Sequence, residues 1–240
     1  MLGSSAMNRV DVVVVTYRSS DTVADAIGPL TGLDWVNVIA VDNASGDGTV
    51  DLLRTLPIQT LALEDNGGFA HGCNVGWRAG SSPYVLFLNP DAQIGPEALA
   101  KLVEELDRDE RIGAVAPRIE EPDGSLDYSL RRFPRIRSGF AQALFLHRVF
   151  PDAPWVDEVI RDRAEYEHPH TVEWVSGACF AARRSVLEQI GGMDESFFHY
   201  SEDIDLCARV WQAGHEVRYV PDAVAVHEGG ASVCRRLGAD

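Results

Sequence analysis

The sequence lacks long apolar runs and has little positive charge. A membrane-spanning helix needs about 20 apolar residues in a row, and the longest unbroken runs here are short, such as residues 84–88. The 240 residues include 21 Lys and Arg against 37 Asp and Glu, a formal net charge of −16. So acidic a surface repels polyanions. The sequence therefore argues against a membrane-spanning helix and against a nucleic-acid partner.

Cysteine is scarce, and no Cys-x-x-Cys spacing occurs among Cys73, Cys179, Cys207 and Cys234. This absence excludes a zinc ribbon or a redox pair and indicates reduced cysteines that mostly pack in the interior. Residues 1–9 show no charged segment followed by an apolar stretch, so no secretory signal is predicted there. We expect a cytoplasmic location.

Apolar runs alternate with segments of helical periodicity, which predicts an α/β fold with a mostly parallel sheet and crossover helices. Strands are predicted at residues 10–16, 36–41, 58–63, 84–88 and 113–117, and helices at 21–33, 47–56, 68–80 and 96–108. Further along, strands are predicted at 172–182, 216–220 and 223–227, and helices at 185–190 and 203–213. Because no linker is long enough to force a boundary, residues 1–240 are expected to form a single domain.

The segment from Arg131 to Phe150 contains five arginines and no acidic residue. Arginines interleaved with bulky apolar residues are typical of a helix at an anionic membrane surface. A helix that buries its apolar side on the domain would show the same pattern. The segment therefore predicts either part of the fold or a peripheral contact at the inner membrane face.

Polar residues follow three predicted strands, where ligands of open α/β sheets bind. These residues are 16–18, 42–49 and 89–91. An Asp-Asn pair at a strand end can bond a base and a ribose, although such residues also cap helices. Asp91 can hold a cation against a diphosphate, although Asn-Pro-Asp is also a good turn.

The glycine-rich residues 66–76 follow a strand and open a helix, so their amides can approach phosphates. They match neither a dinucleotide fingerprint nor a P-loop. Gly68, Gly72 and Gly76 lie four residues apart, which equally suits close packing of a helix on the sheet. Both interpretations can hold together.

Five motifs together resemble family 2 glycosyltransferases, and within them the rhamnosyltransferase branch. They are Val-Val-Thr-Tyr (14–17), Val-Asp-Asn-Ala-Ser-x-Asp-Gly (41–48), Asn-Gly-Gly-Phe-Ala-x-Gly-Cys-Asn (66–74), Leu-Asn-Pro-Asp-Ala (88–92) and Ser-Glu-Asp-Ile-Asp-Leu-Cys (201–207) followed by Arg209. The match spans residues 10–230 in the family's order. It implies a GT-A fold with a nucleotide-sugar-binding half (10–117) and an acceptor and catalytic-base half (118–240).

The resemblance also assigns roles to individual residues. It implies that Thr16, Asp42, Asn43, Gly67, Gly68, Asn74 and Asn89 border the nucleotide, that Asp91 and His227 bind a divalent cation, Mg²⁺ or Mn²⁺, and that Trp174, Gly177, Asp194 and Glu202 lie on the acceptor side. Asn89 stands where the family's Asp-x-Asp motif has its first carboxylate, so the site retains one of the usual acids. Trp174 equally suits a core aromatic.

Asp203 matches the family's catalytic base, although acids at a helix start also favour the helix dipole. The predicted function is therefore inverting transfer of rhamnose or another deoxyhexose, from a dTDP-sugar donor to a hydroxyl of a glycan or lipid-linked glycan. One alternative is a catalytically inactive nucleotide-sugar-binding protein. Another is a sugar nucleotidyltransferase, but no Gly-rich loop followed by Arg and Lys comes after the first strand.

Overall fold

The computed structural model describes residues 9–136 and 158–228, together with the single positions 140 and 145. Its strands are β1 (Val10–Thr16), β2 (Val36–Asp42), β3 (Gln59–Ala62), β4 (Tyr84–Leu88), β5 (Ala92–Ile94), β6 (Ile112–Glu120), β7 (Leu130–Arg131), β8 (His170–Thr171), β9 (Trp174–Val175), β10 (Cys179–Arg183) and β11 (Glu216–His227). Its helices are α1 (Val23–Ile27), α2 (Thr49–Arg54), α3 (Phe69–Ala79), α4 (Pro96–Arg108), α5 (Arg184–Ile190) and α6 (Glu202–Gln212), with 3₁₀ turns at Gly28–Leu30 and Arg163–Tyr166.

The main sheet has the order β3-β2-β1-β4-β10-β6-β11-β5, with β8 paired to β11. The pairs β3-β2, β2-β1, β1-β4 and β6-β11 are parallel. Strand β10 lies antiparallel between β4 and β6, so both halves of the chain build one sheet. A second, two-stranded sheet joins β7 to β9.

The predicted mostly parallel α/β fold is confirmed, because β1 and β4 are buried along their whole length between two apolar layers. Helix α4 covers one face with Leu99, Leu102 and Leu106. Helix α3 covers the other face at close range. A Cβ at Gly72 would lie 2.6 Å from Val15 Cγ1, and one at Gly76 would lie 2.3 Å from Val13 Cγ1.

Three predicted boundaries were wrong. Helix 21–33 ends early as α1 and a 3₁₀ turn, because Pro29 removes a backbone donor and restricts the preceding residue. Strand 172–182 breaks at Ser176–Ala178, so that β9 joins the small sheet and β10 the main one. The predicted strands 216–220 and 223–227 are the single strand β11, whose pairing shifts between Val220 and Val224 around Pro221.

Cys73, Cys179 and Cys207 are free thiols and buried, as the spacing predicted. Cys234 lies outside the described residues, and so does most of the basic segment 131–150. Within the described part of the chain, no helix has the length and apolarity that crossing a bilayer requires.

Candidate active site

A cavity of about 570 Å³ opens at the carboxyl ends of β1, β2 and β4. Its walls come from four stretches of the first half and one of the second. The lining residues are Val15–Ser19, Asp21, Thr22, Asn43, Asn66, Gly68, Phe69, Asn89–Asp91, Phe198 and His199. Of the residues assigned to the nucleotide, Thr16, Asn43, Gly68 and Asn89 line this cavity, and so does the metal candidate Asp91.

Asp42 lies behind the cavity wall rather than on it. Its carboxylate accepts hydrogen bonds from the Thr16 hydroxyl at 2.8 Å and from the Ser45 amide at 2.9 Å, and also from the Ser45 hydroxyl. The side chain is 1% exposed. Asp42 therefore holds the loops after β1 and β2 together.

Asn43 lines the cavity, but its side-chain acceptor is buried. Its Nδ2 donates to the Gly68 carbonyl at 3.0 Å, while its Oδ1 is buried and has no hydrogen-bond partner. Leaving a buried polar atom unpaired costs about 1–3 kcal/mol.

The turn before α3 requires glycine. Gly68 has φ +88°, and a Cβ there would lie 2.4 Å from the Phe198 carbonyl oxygen. That oxygen accepts a hydrogen bond from the Phe69 amide at 3.1 Å. Gly67 does not line the cavity, but a Cβ on it would meet the His71 ring at 2.5 Å. The turn thus brings a wall segment from the second half against the start of α3.

Asn74 lies outside this cavity, contrary to its expected place beside the nucleotide. It is 1% exposed, and its Nδ2 donates to the Met193 carbonyl and to Glu195 at 2.8 and 2.7 Å. Its Oδ1 accepts from the Met193 amide at 2.9 Å and from Trp77 at 3.0 Å. Asn74 therefore anchors the loop that leads to Phe198.

Among the described residues that line the cavity, Arg18 is the only arginine or lysine. Its φ is +55°, a conformation that side chains other than glycine rarely adopt. A hydrogen bond of 2.8 Å from its amide to the Ser45 hydroxyl stabilises this turn, and its guanidinium lies 5.4 Å from the centre of the Tyr17 ring. A positive charge is thereby placed in the cavity of an otherwise acidic chain.

Asp91 and His227 meet although they are far apart in sequence. His227 Nε2 lies 3.3 Å from Asp91 Oδ1, and the two side chains are 15% and 10% exposed. Burial disfavours the charged imidazole, but the hydrogen bond to Asp91 and the negative charges of Asp91, Asp127 and Glu121 outweigh it and raise the pKa of His227.

One carboxylate and one imidazole suit a divalent cation whose other ligands are phosphate oxygens and water. Within residues 9–136 and 158–228, no cluster of three or more His, Cys, Asp or Glu side chains forms a complete cage. The pair thus fits a cation that a bound diphosphate would share.

Asp203, at the start of α6, is held by backbone amides. Its Oδ2 accepts from the Gly177 amide at 3.1 Å and its Oδ1 from the Ile204 amide at 2.9 Å. Burial raises the pKa of Asp203, and those hydrogen bonds and the Arg131 charge only partly oppose the rise. The next carbonyl, of Ala178, accepts from the Asn89 amide at 2.9 Å. Asp203 does not line the cavity, but these bonds connect it through Gly177 and Ala178 to Asn89, which does.

The other acceptor-side candidates occupy different surroundings. Glu202 is 6% exposed with an unpartnered Oε2, and burial together with the Asp203 charge raises its pKa. Trp174 is buried and donates to the Arg132 carbonyl at 2.9 Å. Asp194 is exposed and accepts from the Ser196 amide. Gly177 alone of these four contacts Asp203 through a hydrogen bond that the structure resolves.

The sequence motifs did not place Phe198 or His199 on this wall, because nothing local indicates that this segment of the second half reaches the start of α3. Arg18 was also not assigned a role, although the polar stretch after β1 was a signal for it. Tyr200 and Ser201, between this wall and α6, have φ +70° and +73°. Such strained backbone clusters at functional sites.

The sheet order, with a cavity at the carboxyl ends of its parallel strands, defines a GT-A fold. A mannosyltransferase from Pyrobaculum calidifontis, solved in complex with GDP-Man and Mn²⁺, matches 92% of the chain with a TM-score of 0.64 and 21% identity, over 57% of its own length.

The sequence profile described as Glycosyl transferase family 2 matches residues 11–191, and the profile described as N-terminal domain of galactosyltransferase matches residues 160–228. The chain is 36% identical to the N-acetylglucosaminyl-diphospho-decaprenol L-rhamnosyltransferase of Mycobacterium tuberculosis, over 93% of the chain and 77% of that relative. It is 28% identical to the rhamnosyltransferase WbbL of Escherichia coli (strain K12), over 67% of the chain and 60% of that relative. The chain belongs to glycosyl transferase family 2, and the predicted resemblance is confirmed.

Proposed function

We propose that this protein is an inverting glycosyltransferase that moves rhamnose from dTDP-rhamnose to a hydroxyl of a lipid-diphosphate-linked amino sugar. The observation that supports the proposal is a partly buried, amide-held carboxylate, Asp203, that two main-chain hydrogen bonds connect through Gly177 and Ala178 to the cavity residue Asn89. The choice of rhamnose and of this acceptor rests on the mycobacterial relative, whose name states both.

The donor nucleotide would occupy the 570 Å³ cavity. Asn43, which follows β2 on the cavity wall, would lie against the base or the ribose. The Arg18 guanidinium would bind the diphosphate through charge-assisted hydrogen bonds. Together these groups would turn the sugar's anomeric carbon toward the Asp203 end of the cavity.

In the chemical step, Asp203 would accept the proton of the acceptor hydroxyl as its oxygen bonds to the anomeric carbon. The bond from that carbon to the diphosphate oxygen would break on the opposite face, and its electron pair would leave with the nucleoside diphosphate. One displacement inverts the anomeric configuration. Because a single carboxylate suffices, no covalent sugar-enzyme intermediate is required.

Asp91 and His227 would hold a Mg²⁺ or Mn²⁺ ion, which when bound neutralises the developing charge of the leaving diphosphate. The 3.3 Å separation of their ligand atoms and their low exposure support this role. A peripheral contact of residues 131–150 with the inner membrane face stays a prediction, as does the cytoplasmic location.

The test is incubation of the purified protein with Mn²⁺, dTDP-rhamnose and a short-chain N-acetylglucosaminyl-diphospho-lipid, with mass spectrometry of the lipid and assay of released dTDP. We expect a lipid product heavier by one deoxyhexose and an equal amount of dTDP. UDP- and GDP-sugars, used in place of dTDP-rhamnose, are the control donors. Stabilisation of the protein by the donor without dTDP release would instead indicate a binding protein, and release of pyrophosphate from a nucleoside triphosphate would indicate a nucleotidyltransferase.

A further inference from the structure

Arg131, on the small sheet, lies on the strand paired with the one that leads to the candidate base. It faces Trp174 in the β7-β9 pairing, and its guanidinium lies 5.6 Å from the centre of the Trp174 ring. Strand β9 continues into Gly177, whose amide donates to Asp203. The Arg131 guanidinium, the Trp174 indole and Asp203 are therefore connected through β9 and the Gly177 hydrogen bond.

Arg131 is partly buried, and within residues 9–136 and 158–228 it forms no ion pair with any acidic side chain. The neighbouring Arg135 differs, because it pairs with Glu173 at 2.8 Å. Burial raises the pKa of Asp203 more than the opposing positive charge of Arg131 lowers it. A guanidinium stacked on an indole is oriented by that contact and keeps its N–H edge available for another group.

We infer that Arg131, stacked on Trp174, binds the phosphate attached to the anomeric carbon of the acceptor sugar. This inference rests on the proposed function. The acceptor hydroxyl must reach Asp203, and a sugar bound there carries its anomeric substituent on the other side of one pyranose ring. A phosphate at that position would be an anion beside the base of an acidic protein. Arg131 supplies the matching cation, since a guanidinium fork binds phosphate through two hydrogen bonds.

The position of Arg131 distinguishes the proposed acceptor-phosphate site from the donor diphosphate site and from a contact with an anionic membrane. Arg18 lines the proposed donor cavity, whereas Arg131 does not line it and pairs with Trp174 on β9. A contact with a membrane surface needs outward-facing side chains, whereas the Arg131 guanidinium lies on a buried indole that is 6% exposed.

The experiment compares two soluble acceptors, a short-alkyl N-acetylglucosaminyl diphosphate and the neutral octyl N-acetylglucosaminide. Arg131→Gln should raise the KM of the diphosphate acceptor by about tenfold to a hundredfold, the effect of one charge-assisted hydrogen bond. The KM of the neutral acceptor and of the donor should stay within twofold. Arg131→Lys should lie between, because Lys keeps the charge without the fork. The control Arg111→Gln removes an exposed arginine that directly precedes β6.

A change that is equal for both acceptors would overturn the inference, as would a change in donor KM or one seen only with vesicles. A second measurement does not depend on transfer. N-Acetylglucosamine 1-phosphate should raise the Tm of the wild-type protein and not that of Arg131→Gln. If no transfer occurs with any donor but this difference persists, the proposed function fails while the phosphate site stands. If both variants respond alike, the phosphate site is wrong.

Discussion

The Gly177 amide donates a hydrogen bond of 3.1 Å to Asp203 Oδ2. A Cβ at Gly177 would lie 3.5 Å from the Asp203 Cβ, an ordinary contact, so the glycine is not required there by space alone. The bond ties the turn between β9 and β10 to the first turn of α6. Because the same turn is bonded to Asn89 through Ala178, the candidate base is positioned relative to the donor cavity by main-chain atoms.

Replacing Asp203 by Asn should leave donor affinity nearly unchanged and lower kcat by about a hundredfold or more, because the acceptor proton loses its base. The matched control is Asp205→Asn, two residues along α6, whose partly buried carboxylate pairs with Arg209. Steady-state kinetics with dTDP release measures both variants. Turnover of Asp203→Asn near the wild-type value would rule out the assignment.

The pH profile should report the same group. Burial raises the pKa of Asp203 above the usual 3.8, and a base acts only when ionised. The kcat/KM should therefore rise as pH increases through that raised pKa and fall below it. Glu202 also has a raised pKa, so Glu202→Gln is the control. The acid limb should persist in this variant, and its disappearance there would assign it to Glu202.

The cation can be tested through Asp91. A chelator should abolish transfer, and Mn²⁺ or Mg²⁺ should restore it, because the leaving diphosphate then regains its counter-charge. Asp91→Ala should weaken binding of the donor nucleotide when metal is present and have little effect without metal. Isothermal titration with dTDP, with and without Mn²⁺, measures this difference. Full activity in excess chelator would show that the Asn-Pro-Asp version works without metal.

Arg18→Gln should raise the KM of the donor by about tenfold or more, the effect of losing a hydrogen bond to a charged group. Its kcat should change less, because Arg18 binds the diphosphate in both the ground and the transition state. Arg54→Gln, an exposed arginine on α2, controls for the loss of one positive charge. An unchanged donor KM in Arg18→Gln would place the diphosphate elsewhere.

Asn74→Ala should lower the free energy of unfolding by about 2–3 kcal/mol, because buried groups of Met193 and Trp77 lose their partner. Urea denaturation measures this change. Donor affinity should fall as well, since the loop anchored by Asn74 carries Phe198 and His199 to the cavity. Weaker donor binding at unchanged stability would favour the direct nucleotide contact that the family resemblance implies.

Much of the donor side could be predicted from the sequence because it is local. Each of β1, β2 and β4 is a short apolar run, and polar residues follow it where the chain turns. Parallel strands bring such turns to one edge of the sheet. The placement of Thr16, Asn43, Gly68, Asn89 and Asp91 around one cavity follows from that rule. The motif at residues 201–207 indicated Asp203 as the candidate base, and its predicted place at the start of a helix is confirmed by the structure.

The remaining features depend on contacts between distant residues, which no local pattern encodes. The sequence by itself determined an α/β chain of family 2, the turns that line the cavity and the helix that carries Asp203. Only the tertiary structure showed that β10 lies antiparallel between β4 and β6. Only it showed that the Asn74 side chain is hydrogen-bonded to Met193 and Glu195, and that Phe198 contacts the start of α3. The position of the Arg131 guanidinium over the Trp174 ring was also visible only in the tertiary structure. The physical reason is that these hydrogen bonds and ring contacts join residues 40 or more positions apart in the sequence, so they depend on how the strands are ordered in the sheet. Strand and turn patterns depend only on neighbouring residues.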